Sequence, residues 1–166
     1  TRYDHFSRNL SVTIDYAFVD YVILGEFHIN VFIVEDHVIN SDTAYTQSNY
    51  YSGKNIEHPY STWPYFISNY DHRNVFRDAF TGTWGLPLET PPILGKTYTK
   101  HFNYTVPVDF DEHHLKVVAF IARDDSAMGS YEVLNSAESR LYPVVSVVQP
   151  ENPALYVGDI WPNPSS

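Results

Sequence analysis

The sequence predicts an all-β fold, an antiparallel, jelly-roll-like sandwich with a long aromatic-rich loop excursion, and three observations lead there. Several stretches alternate apolar and polar residues with a period of two, the pattern of half-buried strands. Aromatic residues make up 16% of the chain, with 14 Tyr against one Met, and rings of this kind suit a pleated surface. Eleven prolines are spread along 166 residues, which leaves no room for long helices. Short strands separated by turns, in a chain long enough for one core, make a sandwich.

The elements follow in order. From Ser11 to Asp20, Val12, Ile14, Tyr16 and Phe18 alternate with polar or small residues. After Gly25, the residues Phe27, Ile29, Val31 and Ile33 form a second run; its other face passes from Glu26, His28 and Asn30 to Phe32 and Val34. That strand is expected to begin near an edge and end covered on both faces. Between Asn40 and Tyr70 the periodicity vanishes among Ser, Asn, Gly and Tyr, with Pro59 and Pro64 as breakers. So long a stretch without regular elements is uncommon in a compact domain, and it is where function is expected. Strand character returns from Val75 to Thr81, Gly82 and Gly85 flank Trp84 in a turn, and a proline-rich connector runs from Leu86 to Gly95. Tyr98, Phe102, Tyr104 and Val106 share one strand face. Leu115 to Ala122, nearly all apolar, reads as a central strand buried on both faces. A turn over Asp124–Ser130, a short strand at Tyr131–Leu134 and a closing segment from Arg140 to Val148 complete a domain over residues 1–149, with a linker and tail over 150–166.

Charge and composition narrow the function. A net charge of −10 disfavours nucleic acid and anionic membrane surfaces, which need clustered Lys and Arg. The absence of cysteine removes disulfides, thiolate catalysis and Cys-ligated zinc. No apolar run approaches the roughly 18 residues that span a bilayer. The opening Thr1-Arg2-Tyr3-Asp4 lacks signal-peptide character, so the chain is expected to begin inside a longer precursor.

Candidate sites are weighed against plainer readings. Glu35 and Arg77 are expected to form a structural ion pair between strands, since a part-buried guanidinium needs its hydrogen bonds satisfied. Acid and His neighbours occur at Glu57-His58, Asp71-His72 and Asp111-Glu112-His113-His114, without the spacing of a zinc motif. Solvated turns are the expectation there, and no metal or other cofactor is assigned. Calcium bridging Asp109 and Asp111, or Asp124 and Asp125, is the best remaining metal case. There is no Gly-x-Ser-x-Gly elbow, and no catalytic residue is assigned. The strongest binding candidates are Tyr50, Tyr51, Tyr60, Trp63 and Tyr65, because exposed rings offer flat apolar platforms to sugars and proteins alike. Trp63 is expected to be buried as a staple, and at least two of Tyr50, Tyr51 and Tyr60 to be exposed.

Two sets of blocks carry a family resemblance. The runs Ile29-Asn30-Val31-Phe32-Ile33-Val34-Glu35-Asp36 and Tyr45-Thr46-Gln47 are followed by Tyr70-Asp71-His72-Arg73-Asn74-Val75-Phe76-Arg77 and Thr81-Gly82-Thr83-Trp84-Gly85. With Leu115-Lys116-Val117-Val118-Ala119-Phe120 and Glu132-Val133-Leu134-Asn135, they resemble the Bacteroidetes family named after a twenty-eight-kilodalton outer membrane protein. The resemblance implies a β-rich domain at the cell surface. Thioredoxin-like domains of such proteins lie upstream of this region, so no redox activity carries over. Asn74 stands where that block has a second His, so a paired-His metal site does not carry over either. The tail Tyr156 to Ser165, with Pro162-Asn163-Pro164, is similar to the opening of the sorting domain read by the type IX secretion system, implying export and contact with that machinery. The triplets Asp42-Thr43-Ala44 and Asp125-Ser126-Ala127 resemble the O-glycosylation signal of exported Bacteroidetes proteins, which makes Thr43 and Ser126 candidate acceptors. The expected function is a non-enzymatic accessory, adhesion or spacer module of a secreted or outer-membrane-surface protein, with surface polysaccharide or another surface protein as partner. A carbohydrate-binding module using the loop at 50–70 comes second and a metal-dependent enzyme third.

Overall fold

A computed structural model describes residues 1–20, 25–125, 130–141 and the strand at 155–157. Among the described residues eleven strands form, in chain order β1 (Arg2–Asp4), β2 (Asn9–Phe18), β3 (Glu26–Glu35), β4 (Gln47–Ser48), β5 (Phe66–Ile67), β6 (Val75–Ala79), β7 (Leu86–Pro87), β8 (Thr97–Thr105), β9 (Leu115–Asp125), β10 (Ser130–Arg140) and β11 (Leu155–Val157). One 3-10 turn at Thr43–Tyr45 interrupts them, and there is no α-helix among the described residues. The all-β reading holds.

Two compact units divide the chain: Thr1–Val34 with Phe76–Ser166, and Glu35–Val75. The larger unit holds two sheets. In the first, β2 pairs antiparallel with β8 along its length, so its other edge is shared by β1 at Asn9–Ser11 and by the parallel β11 at Tyr16–Phe18. In the second the order is β10-β9-β3-β6, with the short β7 pairing with β3 at His28 and Ile29.

The core lies where the inward faces meet. Leu10, Val12, Ile14, Tyr16 and Phe18 of β2 are buried, as are Phe27, Ile29, Val31 and Ile33 of β3 and Leu115, Val117, Ala119 and Ile121 of β9. Each set is a period-two series, as pleating requires. Phe18 and Phe27 meet edge to face, with ring centroids 5.2 Å apart, the arrangement the ring quadrupoles favour.

The outward faces of the two sheets differ in kind. On the β2–β8 side, four polar pairs sit opposite one another in register: Asn9 with Thr105, Ser11 with Asn103, Thr13 with His101, and Asp15 with Thr99. This is an ordinary solvated face. Outward on the other sheet, Phe32 contacts both Phe76 and Phe120 edge to face, and Val133 and Tyr131 are exposed. Leu115 to Ala122 is central, as expected, but only one of its faces is fully buried. Val118, Phe120 and Ala122, on its other face, are half-covered.

Two other expectations need correction. The strand at Tyr131–Leu134 extends to Arg140, with a register shift between Val133 and Asn135. Its continuation, Asn135 to Arg140, shows no apolar alternation because β10 is a terminal strand of its sheet and largely exposed. Of the closing segment Arg140–Val148, Arg140 ends β10 and Leu141 is buried, while residues 142–148 lie outside the described residues. Leu86 and Pro87, placed in a connector, form β7.

The turn carrying Trp84 is set by glycine. Gly82 and Gly85 have φ of 70° and 80°, a region that costs L-residues steric strain. A Cβ on Gly85 would lie 2.7 Å from the Ile29 carbonyl oxygen and 2.8 Å from Asn30 Oδ1. Gly85→Ala should therefore lower stability by about 1–3 kcal/mol. A melting curve measures the loss, and no change in melting would mean the turn relaxes freely.

Candidate functional site

The smaller unit, Glu35–Val75, holds the aromatic excursion. Its ends are joined by an isolated antiparallel bridge between Val38 and His72, with His72 Nε2 also 2.8 Å from the Tyr45 carbonyl oxygen. His37, Asp71 and Arg73 form a polar cluster nearby, with Asp71 Oδ2 3.0 Å from His37 Nδ1 and 3.5 Å from Arg73 Nε. Arg73 Nη1 also contacts His37 Nε2.

Asn49 organises the loop. Its side chain is buried at 5% exposure. Nδ2 donates to the Tyr60 carbonyl at 2.9 Å and lies 3.2 Å and 3.4 Å from those of Pro64 and Trp63; Oδ1 accepts from Tyr51 N–H at 3.1 Å. Its own N–H donates to the Tyr65 carbonyl at 2.7 Å. One amide thus ties the end of β4 to the irregular backbone at Tyr51 and over residues 60–64. Only a side chain with donor and acceptor on one planar group meets both demands.

With the backbone fixed from inside, the rings are left outside. Tyr50 (74% exposed), Tyr60, Trp63 (45%), Tyr65 and Phe66 are all exposed, and Tyr51 is half-buried. They touch in sequence: Tyr50 against Tyr51, Tyr51 stacked on His58 at 3.7 Å, His58 beside Tyr60, and Tyr60 edge to face with Trp63. Tyr65 and Phe66 pair separately at 4.7 Å. Lys54 Nζ sits over the Tyr50 ring, 2.9 Å from its centroid, a cation–π contact. A shallow depression of about 280 Å³ lies between Asn49, Tyr50, Tyr51, Tyr60, Ile67 and Tyr70. The expected exposure of Tyr50 and Tyr60 holds. The expected burial of Trp63 does not, because the staple is the Asn49 amide and the indole is left to contact Tyr60 at the surface.

The other candidate residues are placed as follows. Arg77 bridges to Asp109 at 3.5 Å and covers the Phe110 ring at 4.0 Å; Glu35 is buried at the end of β3. Asp111 Oδ1 accepts from His113 N–H at 3.0 Å, while its Oδ2 lies 3.2 Å from His114 Nδ1. Asp109 and Asp111 are thus engaged with different partners. Asp124 lies on the outward face of the β9 sheet, and the side chain of Asp125 lies outside the described residues. Among the described residues, no group of three His, Asp or Glu side chains converges on a metal position. Thr43 is exposed on the 3-10 turn, whose cap Asp42 accepts from Ala44 N–H at 2.9 Å. Ser126 lies outside the described residues.

Glu112, expected in a solvated turn, is instead buried, because its carboxylate is drawn inward by partners from the start of the chain that the sequence did not reveal. Glu112 accepts from Tyr3 Oη at 2.6 Å and from Arg8 Nη1 at 3.2 Å, and contacts His5 Nδ1. The remaining Arg8 donors reach the carbonyls of Val106, Pro107 and Phe110 at 2.6–2.9 Å. The Tyr3 hydrogen bond, with His5 and Arg8 adding to it, holds the Glu112 carboxyl below its ordinary value. Burial and the same carboxylate push the Tyr3 hydroxyl up to about 12. Every partner is satisfied, which marks a structural tie between β1 and the turn at 107–114 rather than a reactive group.

No helix among the described residues is long and apolar enough to cross a membrane. No curated protein and no solved structure matches the chain. The family model described as "Outer membrane protein Omp28" matches residues 2–141. The chain therefore belongs to the outer membrane protein Omp28 family, which places it at the outer-membrane surface.

Proposed function

We propose that this domain is a non-enzymatic adhesion module that displays the Glu35–Val75 unit to a surface glycan. The observation that carries the reading is the division of labour inside that unit. A buried amide supplies the internal order, so five large rings remain exposed at a cost in water that a folding role does not require. Contiguous exposed apolar surface of this kind marks interaction sites. Tyrosine and tryptophan suit sugars because a flat apolar face and a polar edge meet a pyranose in the same way. The negative surface favours neutral over acidic glycans.

A glycan array probed with the purified domain tests this. Binding to at least one neutral polysaccharide is expected, and it should disappear when Tyr50 and Trp63 are both replaced by Ala. A silent array would leave the domain a spacer.

The tail and the hydroxyl of Thr43 belong to the same picture. We read the segment around Pro162-Asn163-Pro164 as an export signal and Thr43 as a glycan acceptor, on the strength of the sequence resemblance and of the exposed turn at Thr43. Protein purified from its native cells should then exceed the polypeptide mass, with the excess mapping to a peptide containing Thr43. A bare-chain mass would remove the modification.

A further inference from the structure

The outward face of the β10-β9-β3-β6 sheet carries a second concavity, of about 310 Å³, that is separate in the chain from the excursion. Phe32 of β3, Phe120 of β9, Trp84 from the Gly82–Gly85 turn and Tyr131 of β10 line it. Trp84 is 74% exposed and Tyr131 66%. Their rings lie nearly parallel, at 29°, with centroids 6.1 Å apart. That spacing leaves no room for a ligand between the rings, so a ligand would rest on the exposed ring surface that Trp84 and Tyr131 present, as on a platform. Asn30 and Asp124 supply polar groups around it. Asp124 Oδ1 is buried and has no hydrogen-bond partner among the described residues. A buried carboxylate oxygen left in that state costs free energy, which a ligand hydroxyl would recover.

The opposite sheet of the same unit shows what this protein does with a face meant only for water: it covers it with a ladder of four polar pairs. The β9 side keeps aromatic rings exposed, and Gly85, at a positive φ open to glycine, brings the Trp84 turn close against Ile29 and Asn30.

We propose that this groove is a saccharide site for one neutral pyranose unit. The volume suits a small ligand in a largely apolar cleft with a few polar groups. A sugar's apolar face matches the Trp84–Tyr131 platform, and its hydroxyls match the amide of Asn30 and the carboxylate of Asp124. Among the described residues that line the groove, His28 included, Asp124 is the one carboxylate and there is no Lys or Arg, so charge complementarity selects against uronic acids. An organic ammonium ion would satisfy Asp124 and the rings but would leave the Asn30 amide unused. The site does not depend on the excursion, and the two can fail independently.

The test is a calorimetric titration of the whole domain, whose signal does not depend on any of the three tryptophans. The probes are the methyl glycosides of glucose, galactose, mannose and N-acetylglucosamine, with glucuronate and tetramethylammonium as comparisons. A saturable heat of binding with at least one neutral glycoside is expected. It should vanish in Trp84→Ala, weaken roughly tenfold in Asp124→Asn and survive Tyr50→Ala. Trp84 is exposed, so melting should be unchanged in Trp84→Ala and the loss cannot be put down to unfolding. A response to tetramethylammonium or glucuronate that equals or exceeds that to every neutral glycoside would overturn the assignment. So would the absence of any saturable heat, or a heat that persists without Trp84.

Discussion

Replacing Arg8 by Met is expected to lower folding stability by about 3–5 kcal/mol, the cost of breaking a buried ion pair from one side. The guanidinium serves four acceptors at once: the Glu112 carboxylate and the carbonyls of Val106, Pro107 and Phe110. Met can fill part of the volume but donates nothing. Glu112 would keep Tyr3 and His5 while losing its permanent cation, and three carbonyls would need water that the site does not readily admit. Lys at this position should recover little, because an ammonium cannot fork to four acceptors in one plane. Chemical denaturation of wild type, Arg8→Met and Arg8→Lys measures all three.

The pH dependence of the same centre has a definite sign. Glu112 is held below its ordinary value of 4.5 in the folded state. Its contribution is therefore complete above the unfolded value and is lost as pH falls through the lower folded one. Tyr3 behaves oppositely. Its hydroxyl is raised from 10.0 to about 12, so its contribution is complete below pH 10 and is lost as pH rises toward 12. Tyr104, raised to about 12 chiefly by burial and then by its hydrogen bond to Asp78, acts in the same direction. Melting temperature should fall at both ends, and Glu112→Gln should flatten the acid limb while easing the alkaline one, since the Glu112 charge also helps raise Tyr3.

The second large effect is expected at Asn49. Asn49→Asp should destabilise the Glu35–Val75 unit by about 3 kcal/mol or more, because an acceptor-only carboxylate replaces a donor that faces the carbonyls of Tyr60, Trp63 and Pro64. Since that unit is compact in its own right, the loss should appear there first. Amide hydrogen exchange over residues 47–70 should accelerate while exchange in β2, β3 and β9 stays slow. Acceleration spread evenly over the chain would mean that the excursion and the sandwich unfold as one body.

The strands that bury one face could be read directly from the sequence. In β2 and β3 every second residue from Leu10 to Phe18 and from Phe27 to Ile33 is buried, and that leaves an imprint of period two. β10 left no such imprint beyond Val133, because a strand at the end of its sheet has little to bury. The excursion was legible as a loss of pattern, but its organiser was not. Asn49 is one polar residue in a Ser- and Asn-rich stretch, and nothing local distinguishes a buried amide from a solvated one. The Arg8–Glu112 tie joins residues 104 positions apart, and the groove draws residues from β3, β9, β10 and the Trp84 turn. Such sites are products of topology, which one sequence does not display. The glycines around Trp84 did announce a turn, though not the platform it builds.

The central claim is that the rings of the excursion serve binding and not folding, and the two roles make opposite demands on one protein. Melting temperature and affinity for a bound polysaccharide should be measured side by side for wild type and the Tyr50→Ala, Trp63→Ala double variant. Because both side chains are exposed, the account predicts a stability change of no more than about 1 kcal/mol together with loss of polysaccharide binding. A marked fall in melting temperature with affinity retained in the fraction still folded would contradict it.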